Sequence, residues 1–411
     1  MSDAPRPFDL TRLGWGVALP VIFLICVGLA SIRATDRAEA AAAAAARETS
    51  TAPAGSLARL LEIVGERTAR QVLYALSGLA LFVLVVRIGY RHLGRYSWWI
   101  YAAVVSLLAL LVIDRYLVDL PFIPEKRATH RWIQFGQFTL QPSEFMKLAL
   151  VLALAHYLRY RSSYRTWRGL IPPFLLTVIP MFLILKQPDL GTLLMLLPVL
   201  FSILFVAGAK MSHLATIILL GIATGPLFYY AGMHDYQKQR VEVLLKQGVD
   251  DEQWHKGPGY QLRQSKIALG TGGATGLGWG QGAFVEYGLL PEEHNDFIFA
   301  IIGNQWGFVG CCLVILAYIA IVIVGLEVAM VTNDPYGRLL AVGIVAMIVA
   351  QALLNMCMTI GLAPITGMPL PFVSAGGSSL WTNMIALGLL VSVARLRPLL
   401  IAKQPFEHED D

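Results

Sequence analysis

Three carboxylates in this chain sit where an acid can do chemistry. Glu144 stands three residues before Lys147 in QPSEFMK, Asp189 follows Lys186 in KQPDLGT, and Asp296 lies in EEHNDFIFA, where a charged loop turns into a long apolar run. A positioned carboxylate can take a proton in a transfer reaction. Each of these acids also has a plainer reading. Asp296 and Asp189 can cap helices by accepting from free backbone N–H groups. The Glu144–Lys147 spacing puts both charges on one helical face, so they form either a structural ion pair or one polar wall of a substrate cavity. Pro142 and Ser143 fit the first turn of that helix.

Other polar groups crowd the same regions. Arg131 and Trp132 precede the Glu144 helix; the arginine can hold a phosphate, and the tryptophan equally suits an interfacial belt. Gln351 and Asn355 share a helical face, and GLAPITGMPLPFVSAGGSS follows them with Ser374 and Ser378. Its prolines and glycines forbid a regular helix, and such backbone survives at membrane depth only when buried in protein or lining a cavity. Arg240 in MHDYQKQR and Gln264, Ser265 and Lys266 in QSKIALGTGGATGLGWGQG complete the candidate cavity residues. The glycines of that last stretch suit close backbone approach to a ligand, anion binding, or a flexible linker. It has neither the Lys-Ser/Thr of a Walker loop nor the preceding strand of a dinucleotide fingerprint.

The elements that must position these groups are membrane helices. The chain has 411 residues, 56% hydrophobic and 14% charged, where a soluble domain carries roughly a quarter charged. Apolar runs of about 18 to 25 residues match a bilayer. Ten spans are expected, near 14–33, 71–90, 97–118, 142–159, 170–186, 190–208, 211–231, 296–329, 338–360 and 380–396, with a large extracytoplasmic loop, 232–295, between spans 7 and 8. The fold class is thus an all-α polytopic membrane protein. Arg87, Arg91, Arg95, Arg159, Arg161, Arg338 and Arg395 fall on one side. The positive-inside rule makes that side cytoplasmic, with both termini inside and 397–411 a cytoplasmic tail. The net charge of +5 follows this distribution, which argues against a nucleic-acid partner. The alanine-rich segment in 34–70 reads as an outer spacer or short surface helix. Cys26, Cys311, Cys312 and Cys357 all lie in apolar runs, without metal or disulfide spacing.

Taken in order, RWIQFGQFTLQPSEFMK, KQPDLGT, MHDYQKQR, GYQLRQSKIALGTGGATGLGWGQG, LPEEHNDFIFA and GLAPITGMPLPFVSAGGSS resemble the SEDS family of RodA, FtsW and SpoVE. The resemblance runs from about Gln71 to Arg397, and the whole chain, 1–411, reads as one SEDS-type transmembrane domain. MHDYQKQR is more similar to the RodA, cell-elongation branch. The resemblance implies a ten-span glycosyltransferase of the bacterial cytoplasmic membrane. Such an enzyme polymerises lipid II beside a class B penicillin-binding protein and other elongation-complex membrane proteins. It places the family's essential acid on Asp296, its conserved Glu and Lys on Glu144 and Lys147, and a further acid on Asp189. Relatives carry two acids in a G-E-E-x-G stretch where this chain reads Gly303-Asn304-Gln305-Trp306-Gly307, which puts any metal or proton role of that pair in doubt.

Joining glycans by this route needs a base for the acceptor hydroxyl, and Asp296 suits that role. A departing diphosphate needs positive charge, from Arg131, Lys186, Arg240 or Lys266, or from a divalent cation such as Mg or Mn. A lipid II flippase or a non-catalytic scaffold are the rival readings. Short basic inner loops and polar motifs crowded on the outer face favour chemistry outside.

Overall fold

Prolines and short polar side chains set where the helices begin. The computed structural model describes residues 10–46, 65–117, 121, 123–124, 130–136, 138–161, 163–233, 235–247, 259–290 and 294–395. The helices are α1 (Leu10–Ala46), α2 (Glu66–Ile88), α3 (Tyr90–Arg95), α4 (Ser97–Tyr116), α5 (Pro142–Leu158), α6 (Trp167–Lys186) and α7 (Leu190–Ala207). They continue with α8 (Met211–Ala231), α9 (Asp235–Leu245), α10 (Tyr260–Thr271), α11 (Ala283–Glu286), α12 (Ile298–Val331), α13 (Pro335–Ile360) and α14 (Gly377–Arg395). A two-stranded antiparallel hairpin, β1 (Ile133–Phe135) with β2 (Phe138–Leu140), precedes α5 in the register Ile133↔Leu140. Pro142 opens α5, and Pro335 opens α13 behind the capping side chain of Asp334. Gly208 and Gly361 close α7 and α13 in the left-handed conformation, as C-terminal glycines do.

Helices stand at all ten expected span positions. Among the described residues, eight are long and apolar enough to cross a membrane: α1, α2, α4, α6, α7, α12, α13 and α14. The apolar part of α8, Met211–Leu227, falls short of that length, as does the 17-residue α5. From Met146 to Ala155 every α5 residue is buried, so this helix meets protein on all sides. It packs with α4, α7, α13 and α14 at the centre of the bundle.

The first helix corrects the expected boundary. It continues past residue 33 through Ala46, because alanine is the strongest helix former and nothing breaks the run. Asp36, within that extension, is buried and accepts from the Thr68 N–H at 2.8 Å and from the Thr68 hydroxyl at 2.7 Å. This bond ties α1 to α2. The rest of the expected spacer, 47–64, and the tail 397–411 lie outside the described residues.

The glycine-rich stretch is an ordered loop packed on α12. It patches a break in α12, where Gly307 takes φ 64 and ψ −160. The Leu277 and Gly278 N–H groups donate to the carbonyls of Asn304 and Gln305 at 3.0 and 3.1 Å. The Phe308 and Val309 N–H groups, freed by the break, donate to Gly273 and Ala274 at 2.9 and 3.1 Å. Broken backbone within a span must be satisfied from elsewhere in the protein, and this loop does it. Asn304, one of the two residues that replace the expected acids, donates to the Ala268 carbonyl and to the Thr271 hydroxyl, clamping α10 to α12. A Cβ on Gly276, at φ +85, would stand 2.1 Å from the Gln305 carbonyl oxygen, whereas one on Gly270 would meet open space. Gly276→Ala is therefore expected to abolish the yield of monodisperse, folded protein. Gly270→Ala, inside α10, is expected to retain it or gain slightly, since Ala is favoured over Gly in a helix by about 1 kcal/mol. Size-exclusion profiles of the two variants check this.

The segment between α13 and α14 is irregular and largely buried, with Phe372 at φ 65. Side-chain amides and hydroxyls satisfy it. Gln351 donates to the Pro369 carbonyl at 2.8 Å, Asn355 to Met368 at 2.6 Å and Tyr318 to Pro371 at 2.5 Å. Gln71 bridges the Ser374 carbonyl and the Gly376 N–H, both at 3.1 Å. The polar residues of α13 thus hold non-helical backbone within the bundle.

Candidate functional site

Where α5, α7, α12 and α14 begin and the irregular segment passes between them, a cavity of about 350 Å³ opens. Asp296, Glu144 and Asp189 all line it, as do Arg131, Trp132, Arg240 and Ser378. These seven residues come from parts of the chain more than two hundred positions apart.

Asp296 is placed by its backbone. Three consecutive carbonyls around it accept hydrogen bonds: His294 from the Ala375 N–H at 2.9 Å, Asn295 from the Ser374 hydroxyl at 2.6 Å, and Asp296 from the Asn355 amide at 2.8 Å. These bonds fix the backbone that carries the Asp296 side chain at the cavity wall. A Cβ added at Gly367 would stand 3.3 Å from its Oδ2. Helix α12 starts from Phe297, which offers no side-chain cap. Asp296 is therefore not the N-cap residue of that helix.

Asp189 does cap α7, and it faces the cavity as well. Its oxygens accept from the Thr192 N–H and hydroxyl at 3.3 and 3.0 Å, from the Ser143 hydroxyl at 2.8 Å, and from the Gln141 amide at 3.2 Å. Asp189 lies in the turn between α6 and α7, outside the spans. Burial alone would push its pKa up. The nearby Arg131 guanidinium and the bonds from Ser143 and Thr192 outweigh burial and hold the carboxyl below its ordinary 3.8. A depressed folded pKa contributes stability above the unfolded value, and that contribution is lost as pH falls through the folded one. Wild type should therefore lose thermal stability as pH drops below 3.8 more steeply than Asp189→Asn. Unfolding midpoints of both proteins in detergent, taken across that range, measure the difference.

Lys147, Gln351, Asn355 and Ser374 do not line the cavity; they hold its floor. Lys147 is fully buried and donates to Glu144 at 2.8 Å and to Gln351 at 2.7 Å. Gln351 passes the connection on to the Pro369 carbonyl. Arg131 donates to the carbonyls of Gln187 and Pro188. Those bonds use two of its five N–H groups and fix the charge at the cavity edge.

Four expected cavity residues lie elsewhere. Lys186 points out of α6, exposed, with its ammonium over the Phe182 ring. Gln264 is half-buried on α10, away from the cavity. Ser265 is buried against the Thr359 carbonyl at 2.8 Å. Lys266 is exposed and bonds Gln247 beside a separate surface depression. The reason is common to the α10 residues: the helix packs on α12 and α13 rather than over the cavity mouth. Gln141, Thr192, Asn295 and Thr366 also line the cavity. Gln141 and Thr192 are legible in the sequence as polar neighbours of the QPSE and DLG motifs. Among the described residues, no three His, Cys, Asp or Glu side chains gather as a metal site.

A family profile described as "Cell cycle protein", covering FtsW, RodA and SpoVE, matches residues 59–398. A probable peptidoglycan glycosyltransferase FtsW of Geobacter metallireducens is 36% identical over 332 residues, covering 79% of this chain and 84% of the relative. The peptidoglycan glycosyltransferase MrdB of Escherichia coli K12 is 33% identical over 332 residues, covering 79% and 84%. Stage V sporulation protein E of Bacillus subtilis is 34% identical over 337 residues, covering 79% and 86%. Among solved structures, a chain of a peptidoglycan synthase complex that coordinates polymerization and crosslinking aligns with a TM-score of 0.73 at 26% identity, over 93% of this chain and 97% of that one. Thermus thermophilus RodA aligns with a TM-score of 0.64 at 26% identity, covering 93% and 97%. The profile spans most of the sequence, and the relatives match over about four-fifths of it: this multi-pass membrane chain belongs to the FtsW/RodA/SpoVE family.

Proposed function

We propose that this protein is a peptidoglycan glycosyltransferase that polymerises lipid II on the outer face of the bacterial cytoplasmic membrane, in the service of cell elongation. The observation that carries the reading is Asp296, pinned through three consecutive carbonyls at the wall of a polar cavity that also holds Arg131 and Arg240. Asp296 takes the proton from the 4-hydroxyl of the acceptor GlcNAc. The acceptor oxygen bonds to C1 of the donor MurNAc as the bond from C1 to the diphosphate oxygen breaks. Those electrons leave with undecaprenyl diphosphate, and the α-linked donor gives a β-linked product by inversion. Arg131 and Arg240 supply the positive charge that a departing diphosphate needs.

With two of the three cavity acids taken, a resident divalent cation would find at most the Asp296 carboxylate, too few ligands to hold it without substrate. Lys147 neutralises Glu144, and donors from Ser143, Gln141 and Thr192 occupy Asp189. Magnesium or manganese would be held chiefly by the diphosphate's own oxygens, as Mg commonly is in phosphate sites, and no step above is routed through it. The class B penicillin-binding protein is the proposed partner, supported by the likeness to a chain of a synthase complex that couples polymerization to crosslinking. The basic residues at the other end of the helices support cytoplasmic termini.

A flippase would need a polar route through the bundle. Below the cavity stand Met146, Leu150, Leu154, Ile344, Met347 and Ile348, all fully buried, which supports polymerisation over transport. The test is purified protein with its transpeptidase partner, given labelled lipid II. Glycan polymer resolved on a gel is expected. Absence of polymer, together with transfer of lipid II across a liposome bilayer, would replace this reading with the flippase.

A further inference from the structure

A second cavity, about 730 Å³, opens at the end of the bundle away from Asp296. The separation follows from α13, which runs from Tyr336 at one cavity to Asn355 beneath the other, about 28 Å at 1.5 Å per residue. This distance is close to the hydrocarbon thickness of a bilayer. Its wall brings together α3, the end of α5 and the start of α13, and it carries Arg91, Arg95 and Arg159.

Among the described residues these three arginines form no salt bridge, and Arg91 feels the charge of a nearby acid, Asp334. Arg91 donates to the Tyr90 hydroxyl at 3.2 Å, and Arg159 lies 3.3 Å from a ring nitrogen of His156 and over the ring of Tyr160. The one acid in the wall, Asp334, offers a single negative charge against three guanidinium groups. It accepts from the Tyr90 hydroxyl at 2.8 Å and caps α13 by accepting from the Tyr336 N–H at 3.3 Å. Tyr336 lines the cavity at 3% exposure, and its hydroxyl has no hydrogen-bond partner. Three guanidinium groups and a buried, unanswered hydroxyl around one space make a site short of an anion. A phosphate group supplies the missing acceptors, since guanidinium forks match its oxygens and a hydroxyl adds a further donor.

The level of the cavity in the bundle says where such a phosphate comes from. Tyr160 in its wall is 76% exposed, and Tyr96, Trp98 and Trp99, which follow Arg95 in the chain, are exposed as well. Aromatic side chains of this kind gather at the headgroup level of a membrane. Basic pockets between helices on the cytoplasmic side bind acidic lipid headgroups. The geometry points to a phosphate-binding site at the end of the bundle opposite the reaction, formed by Arg91, Arg95, Arg159 and Tyr336 and filled by the headgroup of an anionic phospholipid or by free phosphate. Placing that lipid in the cytoplasmic leaflet rests on the orientation proposed above. The site itself does not depend on lipid II chemistry.

The experiment uses the full chain in nanodiscs of mixed phosphatidylglycerol and phosphatidylcholine, with retained lipid read by native mass spectrometry. A parallel arm in detergent adds inorganic phosphate and follows thermal unfolding. Wild type is expected to retain phosphatidylglycerol over phosphatidylcholine by about tenfold, the ratio given by 1.4 kcal/mol. The triple variant Arg91→Gln/Arg95→Gln/Arg159→Gln should lose that preference. Arg95→Gln alone keeps the result interpretable if the triple variant misfolds, because Arg95 is exposed and its loss does not disturb packing; it should lower the preference several-fold. A shift of the unfolding midpoint by inorganic phosphate, absent in the same variants, would support the site and assign its ligand to solution instead. No lipid preference and no phosphate shift in wild type, or effects unchanged in folded variants, would overturn the proposal.

Discussion

Lys147→Met is expected to cost about 3–5 kcal/mol of stability, the range for breaking a buried ion pair by removing one partner. Lys147 is fully buried and Glu144 is 2% exposed. The substitution keeps the volume of the side chain but leaves a carboxylate at the cavity floor with no counter-charge. It also removes the donor to Gln351, whose own amide supports the Pro369 carbonyl in the irregular segment. Loss of the ammonium therefore propagates from α5 into the backbone that faces Asp296. Glu144→Gln keeps an acceptor for Lys147 but leaves its buried ammonium without a counter-charge, so it should cost a comparable amount. The exchanged pair, Glu144→Lys with Lys147→Glu, should recover part of the folded yield. Its recovery is incomplete because Gln351 then faces a carboxylate and must turn its amide away from Pro369. Thermal unfolding of the four proteins in one detergent tests the series. A Lys147→Met protein as stable as wild type would show that the pair holds nothing together.

Much of this arrangement is readable from local spacing. The i, i+3 placement of Glu144 and Lys147 announces their pairing, and the Gln351–Asn355 spacing announces a shared polar face, because both follow from helical periodicity. The prolines of GLAPITGMPLPF announce an irregular segment, and the depth of that segment announces that something must satisfy it. What the sequence conceals is every partner chosen across the fold. Nothing near Gly276 says that its loop repairs a break thirty residues later. Nothing near Asp36 says that Thr68 receives it. Lys186 sits one turn from Asp189 in sequence, yet helix geometry sends the lysine outward and the aspartate inward. Lys266 fails as a cavity residue for the same kind of reason: α10 is placed by Asn304 and Ser265, whose partners lie on other helices. Ten apolar runs locate the helices, but their lengths do not state which of them face lipid. Helix α5, buried on all sides, shows the difference.

The largest expected effect on activity comes from Asp296. Its backbone is held by bonds from Asn355, Ser374 and Ala375 to the carbonyls of residues 294–296. Asp296→Asn leaves all three bonds in place and keeps the size of the side chain, and the N-cap residue of α12 is Phe297. The fold, membrane insertion and partner binding should therefore be retained. Asparagine cannot accept the acceptor's proton, so polymerisation should fall by at least ~100-fold, the lower end of what a positioned acid or base contributes. The direct measurement is the rate of glycan polymer formation from labelled lipid II by the purified Asp296→Asn protein with its transpeptidase partner, beside wild type at equal folded concentration. A loss of that size in a normally folded, partner-bound variant is the result predicted here, and polymer formation at close to the wild-type rate would contradict it.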